Sequence, residues 1–162
     1  MPESVIQHVV PMDATLAEAA APLLAGVDVA FNCMGVGKPS KSTVEELELV
    51  DVTIPTAFFT AAKAAGVRHA SILTSVGSDI NSKYSWITRT SAGGGYYMHI
   101  KGQVEHNVQE LAFASTDIVR PGAILGNSNT PGIVGPLMKA VSFMIPSKYH
   151  SIHKDDLAMA ML

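Results

Sequence analysis

Tyr97 and Lys101 stand four residues apart, the spacing that puts two side chains on one face of a helix. The pair has a chemical use. An ammonium beside a phenol stabilises the phenolate and lowers its pKa from ~10 toward neutrality. A phenol so tuned passes a proton to or from a substrate oxygen. The pattern is short, and its bland alternative is a half-buried tyrosine beside a solvated lysine. Its context adds weight. Ala70-Ser71-Ile72-Leu73 reads as a strand running into Thr74-Ser75. In an open α/β sheet, ligands bind at the carboxyl ends of the strands. Asn32, Met34 and Gly35 end the preceding strand and converge on the same edge. Taken alone, Ser75 reads equally well as a capping hydroxyl.

The elements that must position these residues alternate along the chain. Val5 to Val10 is a strand candidate, and Thr15-x-x-Glu18 reads as a capping box opening a helix to about Leu24. Val27 to Cys33 is a second strand. Ser42-x-x-Glu45 or Thr43-x-x-Glu46 caps the next helix, whose buried stripe is Leu47, Val50, Ile54, Phe58, Ala61 and Ala65. Pro55 predicts a kink or a break there, and Gly66 a stop. His69 to Thr74 is a third strand, followed by a polar loop over 76–95 that holds Trp86 and Gly93-Gly94-Gly95. A helix from about Tyr96 to Phe113 carries an apolar stripe of Ile100, Val104, Val108 and Leu111. Thr116 to Arg120 is the fourth strand, ended by Pro121-Gly122. A short helix is expected within Ile133 to Met144, and another starts at Lys154. Strand–helix alternation predicts a doubly wound α/β domain with a parallel sheet.

Composition bounds the function. A chain of 162 residues with 48% hydrophobic content has the length of one domain with a real core. The formal charge of −3 gives no reason to expect nucleic acid as a partner. The single Cys33 excludes an internal disulfide and fits a reducing compartment. The start lacks a basic region followed by a long apolar run, and no run of eighteen apolar residues exists, so neither a secretory signal nor a membrane partner is expected. These points predict a cytoplasmic protein. His69, His99, His106, His150 and His153 lack zinc-ligand spacing, so no metal is expected. Arg120 reads equally as a cofactor contact or a carboxylate partner. Asp155-Asp156 reads as a helix N-terminus.

Five stretches together resemble a known family. They are Val9-Val10-Pro11-Met12-Asp13, Val27 to Gly35 with its Asn-x-x-Gly turn, Ile72 to Gly77, Tyr97-x-x-x-Lys101-Gly102-x-x-Glu105, and Ile118-Val119-Arg120-Pro121-Gly122. Their order and spacing resemble the atypical branch of the short-chain dehydrogenase/reductase superfamily, in its Tat-interacting-protein type. NmrA-like proteins are more distant. The resemblance implies an NAD(P)-dependent oxidoreductase acting on a carbonyl or alcohol, with NADP or NAD as cofactor. It implies Tyr97 as general acid/base, Lys101 lowering its pKa and bonding the nicotinamide ribose, and Ser75 polarising the substrate oxygen. Asp13 would approach the adenine. Asn32, Met34 and Gly35 would shape and line the adenosine ribose site. Thr74 would flank the nicotinamide, with Pro121 and Gly122 supporting it.

The chain departs from that family where the family's glycine-rich strand–turn–helix would stand. Gly35-Val36-Gly37-Lys38 lacks the third glycine and reads as a turn. The expectation is therefore one partial NAD(P)-binding Rossmann-like domain over 1–162, truncated at both ends. The alternative function is a non-catalytic binding or regulatory protein on a dehydrogenase fold. The strand at 5–10, deprived of its neighbour, is expected to pair with 28–33, or else a homodimer or second chain covers that sheet edge.

Overall fold

Three short β-prone runs form one parallel sheet, and their connections set where the site lies. The computed structural model describes residues 5–13, 15–37, 39–84, 94–126 and 150–162. Strands β1 (Val29–Asn32), β2 (His69–Leu73) and β3 (Ser115–Val119) lie in the order β1-β2-β3. The register pairs Val29 with His69 and His69 with Ser115. Parallel neighbours need long crossovers, which here are helical. Ala30, Ala70 and Ile72 of the sheet pack with Phe59, Ala62, Ile100, Val104 and Val108 of the crossover helices in one core. Val29 and Phe31 point the other way along β1 and are exposed. The expected parallel, Rossmann-like α/β class is what the chain adopts.

A first helix, α1 (Leu16–Ala20), precedes β1 and runs into a 3-10 turn at Ala21–Leu24. The first crossover explains a buried residue at the site. Thr43, not Ser42, caps α2 (Val44–Glu48): its hydroxyl accepts from Glu46 N–H at 3.1 Å, and Glu46 Oε2 accepts from Thr43 N–H at 2.9 Å. A π-helical turn, Leu49–Thr53, then joins α2 to α3 (Ile54–Ala64). Pro55 has no N–H to give the carbonyl four residues back, and a wide turn absorbs that loss. The turn also rotates the buried stripe. Leu47, Ile54 and Ala61 are buried as the sequence predicts, but Asp51, Phe59 and Ala62 join them while Phe58 moves to the margin. The helix stops at Gly66, whose φ is +89°.

The second crossover carries α4 (Gly95–Glu110), with Ile100, Val104 and Val108 almost fully buried. Beyond β3, β4 (Ile124–Leu125) pairs in parallel with β5 (Ile152–His153), which leads into α5 (Lys154–Met161). His153 caps α5, accepting from Asp155 N–H at 3.5 Å.

Two expectations at the amino end fail. Residues 5–10 form no strand, and residues 5–9 are exposed, so they do not pair with 28–33. Valine content alone does not hold a strand that has no sheet to pack on. Thr15 forms no capping box. Asp13 takes its place, with Oδ1 accepting from Thr15 N–H at 2.8 Å and from its hydroxyl at 2.6 Å. Trp86, Gly93 and the helix expected within 133–144 lie outside the described residues.

Candidate active site

At the carboxyl end of the sheet lies a cavity of about 430 Å³. The turn Cys33, Met34, Gly35, Val36 and Gly37 after β1 forms one wall, and Leu73 and Thr74 at the end of β2 form another. Tyr97 and Lys101 enter from α4. Ile124 and the α5 residues Lys154, Leu157, Ala158 and Met161 close the remaining side. The tyrosine–lysine pair therefore faces a cavity at the sheet edge where α/β folds bind ligands. Lys101 Nζ lies 5.7 Å from the centre of the Tyr97 ring.

The lysine is not free to act alone. Lys101 Nζ approaches Asp51 Oδ1 to 2.5 Å, and both side chains are buried. This contact is charge pairing, since Oδ1 has no partner of hydrogen-bond geometry among the described residues. Asp51 Oδ2 accepts from Val36 N–H at 3.1 Å, tying the pair to the cavity wall. Burial, and after it the Asp51 carboxylate, push the Tyr97 phenol up to about 12. The expectation that Lys101 lowers this phenol is thus corrected. Low dielectric disfavours the phenolate, and a carboxylate offsets the ammonium that would have favoured it. Cys33 on the same wall is likewise pushed up by burial, away from thiolate chemistry.

A second buried carboxylate fastens α4 to the sheet. Glu105 Oε1 accepts from the Thr74 hydroxyl at 2.5 Å and from Arg120 Nε at 2.9 Å, while Arg120 also reaches Oε2. Arg120 thus pairs with a carboxylate, one of the two roles open to it in the sequence. Gly102 lets α4 approach closely: a Cβ there would lie 2.2 Å from Ile80 N and 2.4 Å from the Asp79 carbonyl carbon. A polar groove of about 340 Å³ opens on this side, between Ser78–Ile80, Gly102, Glu105, His106, Gln109 and Arg120.

Other predicted residues take mixed positions. Met34, Gly35 and Thr74 line the cavity with Tyr97 and Lys101; Asp13, Asn32, Ser75, Pro121 and Gly122 do not. Asn32 is buried and shapes the turn, its Oδ1 accepting from Met34 N–H at 3.0 Å. Ser75 Oγ reaches Val76 O at 3.4 Å, and Pro121 O accepts from Val76 N–H at 2.9 Å. Asp51 was not singled out from sequence. Its signal was there: a carboxylate four residues after Leu47 and four before Pro55, on an apolar stripe. His99 is half-buried, with Nδ1 2.6 Å from Ile80 O and its ring beside Tyr84 and Tyr96. Among the described residues no cluster of three His, Cys, Asp or Glu side chains is placed to hold a metal.

A parallel sheet with helical crossovers and a cavity at its carboxyl edge defines a Rossmann-like α/β protein. Its homologues are the FMP52 and HTATIP2 proteins, and the chain is similar to the NAD(P)-binding atypical short-chain dehydrogenase/reductase family. It is 31% identical to mitochondrial protein FMP52 of Eremothecium gossypii over 106 residues, 65% of this chain and 42% of that protein. It is 32% identical to protein HTATIP2 of Rattus norvegicus over 105 residues, 65% of this chain and 38% of that protein. The chain thus spans about two-fifths of the length of these relatives. No protein-family model matches it. Among solved structures, WbmH of Bordetella bronchiseptica in complex with NAD+ superposes on 99% of this chain and 58% of its own, at a TM-score of 0.62 and 15% identity. A short-chain dehydrogenase/reductase superfamily protein of Agrobacterium tumefaciens with bound NAD covers 82% of this chain and 44% of its own, at 0.53 and 16%. These likenesses show the fold. The cytoplasmic expectation is overturned: the FMP52 relatives from Eremothecium gossypii, Scheffersomyces stipitis and Debaryomyces hansenii are all named mitochondrial.

Proposed function

We propose that this chain supplies the substrate-side half of an NAD(P)-dependent oxidoreductase site, in which Tyr97 gives a proton to a carbonyl oxygen. The observation that carries this reading is the shared cavity: Tyr97 and Lys101 face Gly35 and Thr74 across the carboxyl ends of β1 and β2. The wall at Gly35 fits a ribose. A Cβ there would stand 3.1 Å from Asp51 Oδ1 and 3.3 Å from Lys101 Nζ, so glycine lets the turn pack tightly on the buried pair and presents bare backbone to a ligand in the cavity. Thr74 and Lys101 would hold the nicotinamide riboside portion, and Met34 and Gly35 would line the adenosine ribose. When bound, the nicotinamide supplies a hydride to the carbonyl carbon.

The residues of the chain do the rest. Tyr97 hydrogen-bonds the substrate oxygen and transfers its proton as negative charge develops there. The product is an alcohol, and the tyrosinate recovers a proton from water. Apolar groups of α5, Leu157 and Met161, narrow the cavity and exclude solvent from the reacting centre. Ser75 would join as a second donor to the substrate oxygen. The names of the FMP52 relatives support a mitochondrial location, tested by imaging the tagged protein.

Titration with NADH and with NADPH, followed by nicotinamide fluorescence, tests the reading. Saturable binding is expected; no binding at millimolar cofactor would overturn it. One observation favours a second reading, a binding or regulatory protein without turnover: the Lys101 charge is already engaged by Asp51. Saturable cofactor binding with no hydride transfer to aldehydes or ketones would select it.

A further inference from the structure

The cavity at the carboxyl end of the sheet carries a charge that the proton chemistry does not use. Among the described residues that line it, the charged side chains are Lys101 and Lys154, and none is a carboxylate. The two lysines differ in setting. Lys101 is 5% exposed, and Asp51 at 2.5 Å compensates its ammonium. Lys154, the first residue of α5, is 51% exposed, and its ammonium meets Asp155 Oδ1 at 2.6 Å. Asp155 is itself mostly exposed and is not among the lining residues. Such a pair between exposed neighbours contributes little, because water screens it and both side chains lose freedom in making it. Lys154 is therefore available to a better-placed anion. Its exposure puts it at the mouth of the cavity, while Lys101 lies at the floor. Much of the remaining lining is apolar, with Leu73, Ile124, Leu157 and Met161.

We propose that Lys154 sets the specificity of this site: its ammonium holds the carboxylate of an oxo-acid substrate whose carbonyl lies beside Tyr97. The inference rests on the reading of Tyr97 as a proton donor and narrows it to one substrate class. A ligand with a carbonyl at one end, a short apolar stem and a carboxylate at the other matches the lining from floor to mouth. Its carboxylate takes the place of Asp155 on Lys154 and forms a charge-assisted hydrogen bond beside apolar walls that hold water back. The carboxylate itself does not react. The carbonyl carbon gains a hydride from reduced nicotinamide, the carbonyl oxygen gains the Tyr97 proton, and the product is a hydroxy-acid. A neutral ketone or an ester forfeits the contact with Lys154.

Binding of pyruvate and of levulinate, each against its methyl ester, tests the proposal by amide NMR with no nicotinamide present. The two acids differ in the span from carbonyl to carboxylate, so that one length does not decide the result. At least one acid is expected to bind about fivefold or more tightly than its ester, with shifts at Tyr97 and Lys154. Lys154→Met keeps the apolar stem and should erase that preference. Asp155→Asn frees the ammonium and should strengthen it. Equal binding of acids and esters by the unmutated chain, no binding of either acid, a preference that survives in Lys154→Met, or one that weakens in Asp155→Asn would overturn the proposal. A phosphate of the cofactor offers the same chemistry to Lys154, and nicotinamide mononucleotide against nicotinamide riboside separates the two sources. A Lys154-dependent preference confined to the mononucleotide would overturn the oxo-acid assignment. Acid preference in a chain that binds no nicotinamide would keep Lys154 as the anchor of an oxo-acid ligand and reject the oxidoreductase reading. Nicotinamide binding without acid preference would do the reverse.

Discussion

Lys101 Nζ lies 2.5 Å from Asp51 Oδ1, with side-chain exposures of only 5% and 1%. Removing one member of a buried pair leaves the other charge uncompensated, at a cost of about 3–5 kcal/mol, whereas replacing both is far milder. Lys101→Ala is therefore expected to lose about 3 kcal/mol or more in urea unfolding. Asp51→Asn/Lys101→Met is expected to lose less than half of that. Equal losses would show that the pair is not coupled. The comparison also guards against misreading a folding defect in Lys101→Ala as lost cofactor binding.

Tyr97 makes stability depend on alkaline pH. Its phenol rises from 10.0 to about 12 on folding, so the native state keeps the proton longer than the unfolded chain does. The contribution is fully present below about pH 10 and is lost as pH climbs toward about 12, by roughly 2–3 kcal/mol in all. Denaturant unfolding between those limits should show this slope in the wild type and a shallower one in Tyr97→Phe. Identical slopes would place the Tyr97 phenol near its ordinary range.

Gly102 tests how closely α4 must sit. With a Cβ 2.2 Å from Ile80 N, Gly102→Ala forces backbone against backbone. A loss of about 2 kcal/mol or more is expected, or no soluble protein at all. Wild-type stability in this variant would mean that the 79–80 turn gives way easily.

Glu105 and Arg120 should differ in weight. Glu105 is 4% exposed and serves both Thr74 and Arg120, whereas Arg120 is 49% exposed. Glu105→Ala is expected to cost about 2–4 kcal/mol and Arg120→Ala about 1–2 kcal/mol, because water can replace much of what Arg120 loses. Thermal melts of the two variants check the order, and its inversion would contradict this account of the network.

Much of the core and part of the site were legible in the sequence, for identifiable reasons. The α4 stripe of Ile100, Val104 and Val108 follows regular helical spacing, and it is buried. The Thr43–Glu46 box announced α2 because both of its bonds are local. Asp51 was passed over because a carboxylate on an apolar stripe reads as solvated, although its spacing from Leu47 and Pro55 marked the buried face. The segment 5–10 misled because strand propensity has little force without a partner strand. Tyr97 and Lys101 were found from spacing, but spacing does not show burial or the carboxylate behind them. The sign of the phenol's shift was for that reason wrong.

The central claim is that the cavity between the 33–37 turn, Thr74 and the Tyr97–Lys101 pair receives the nicotinamide end of a dinucleotide. Backbone amide NMR of the 15N-labelled chain, titrated with nicotinamide mononucleotide and then NADH, tests it most directly. Saturable shifts centred on Met34 to Gly37, Thr74, Tyr97 and Lys101 are predicted. No saturable shift at millimolar ligand, or shifts confined to the groove beside Arg120 and His106, would contradict it.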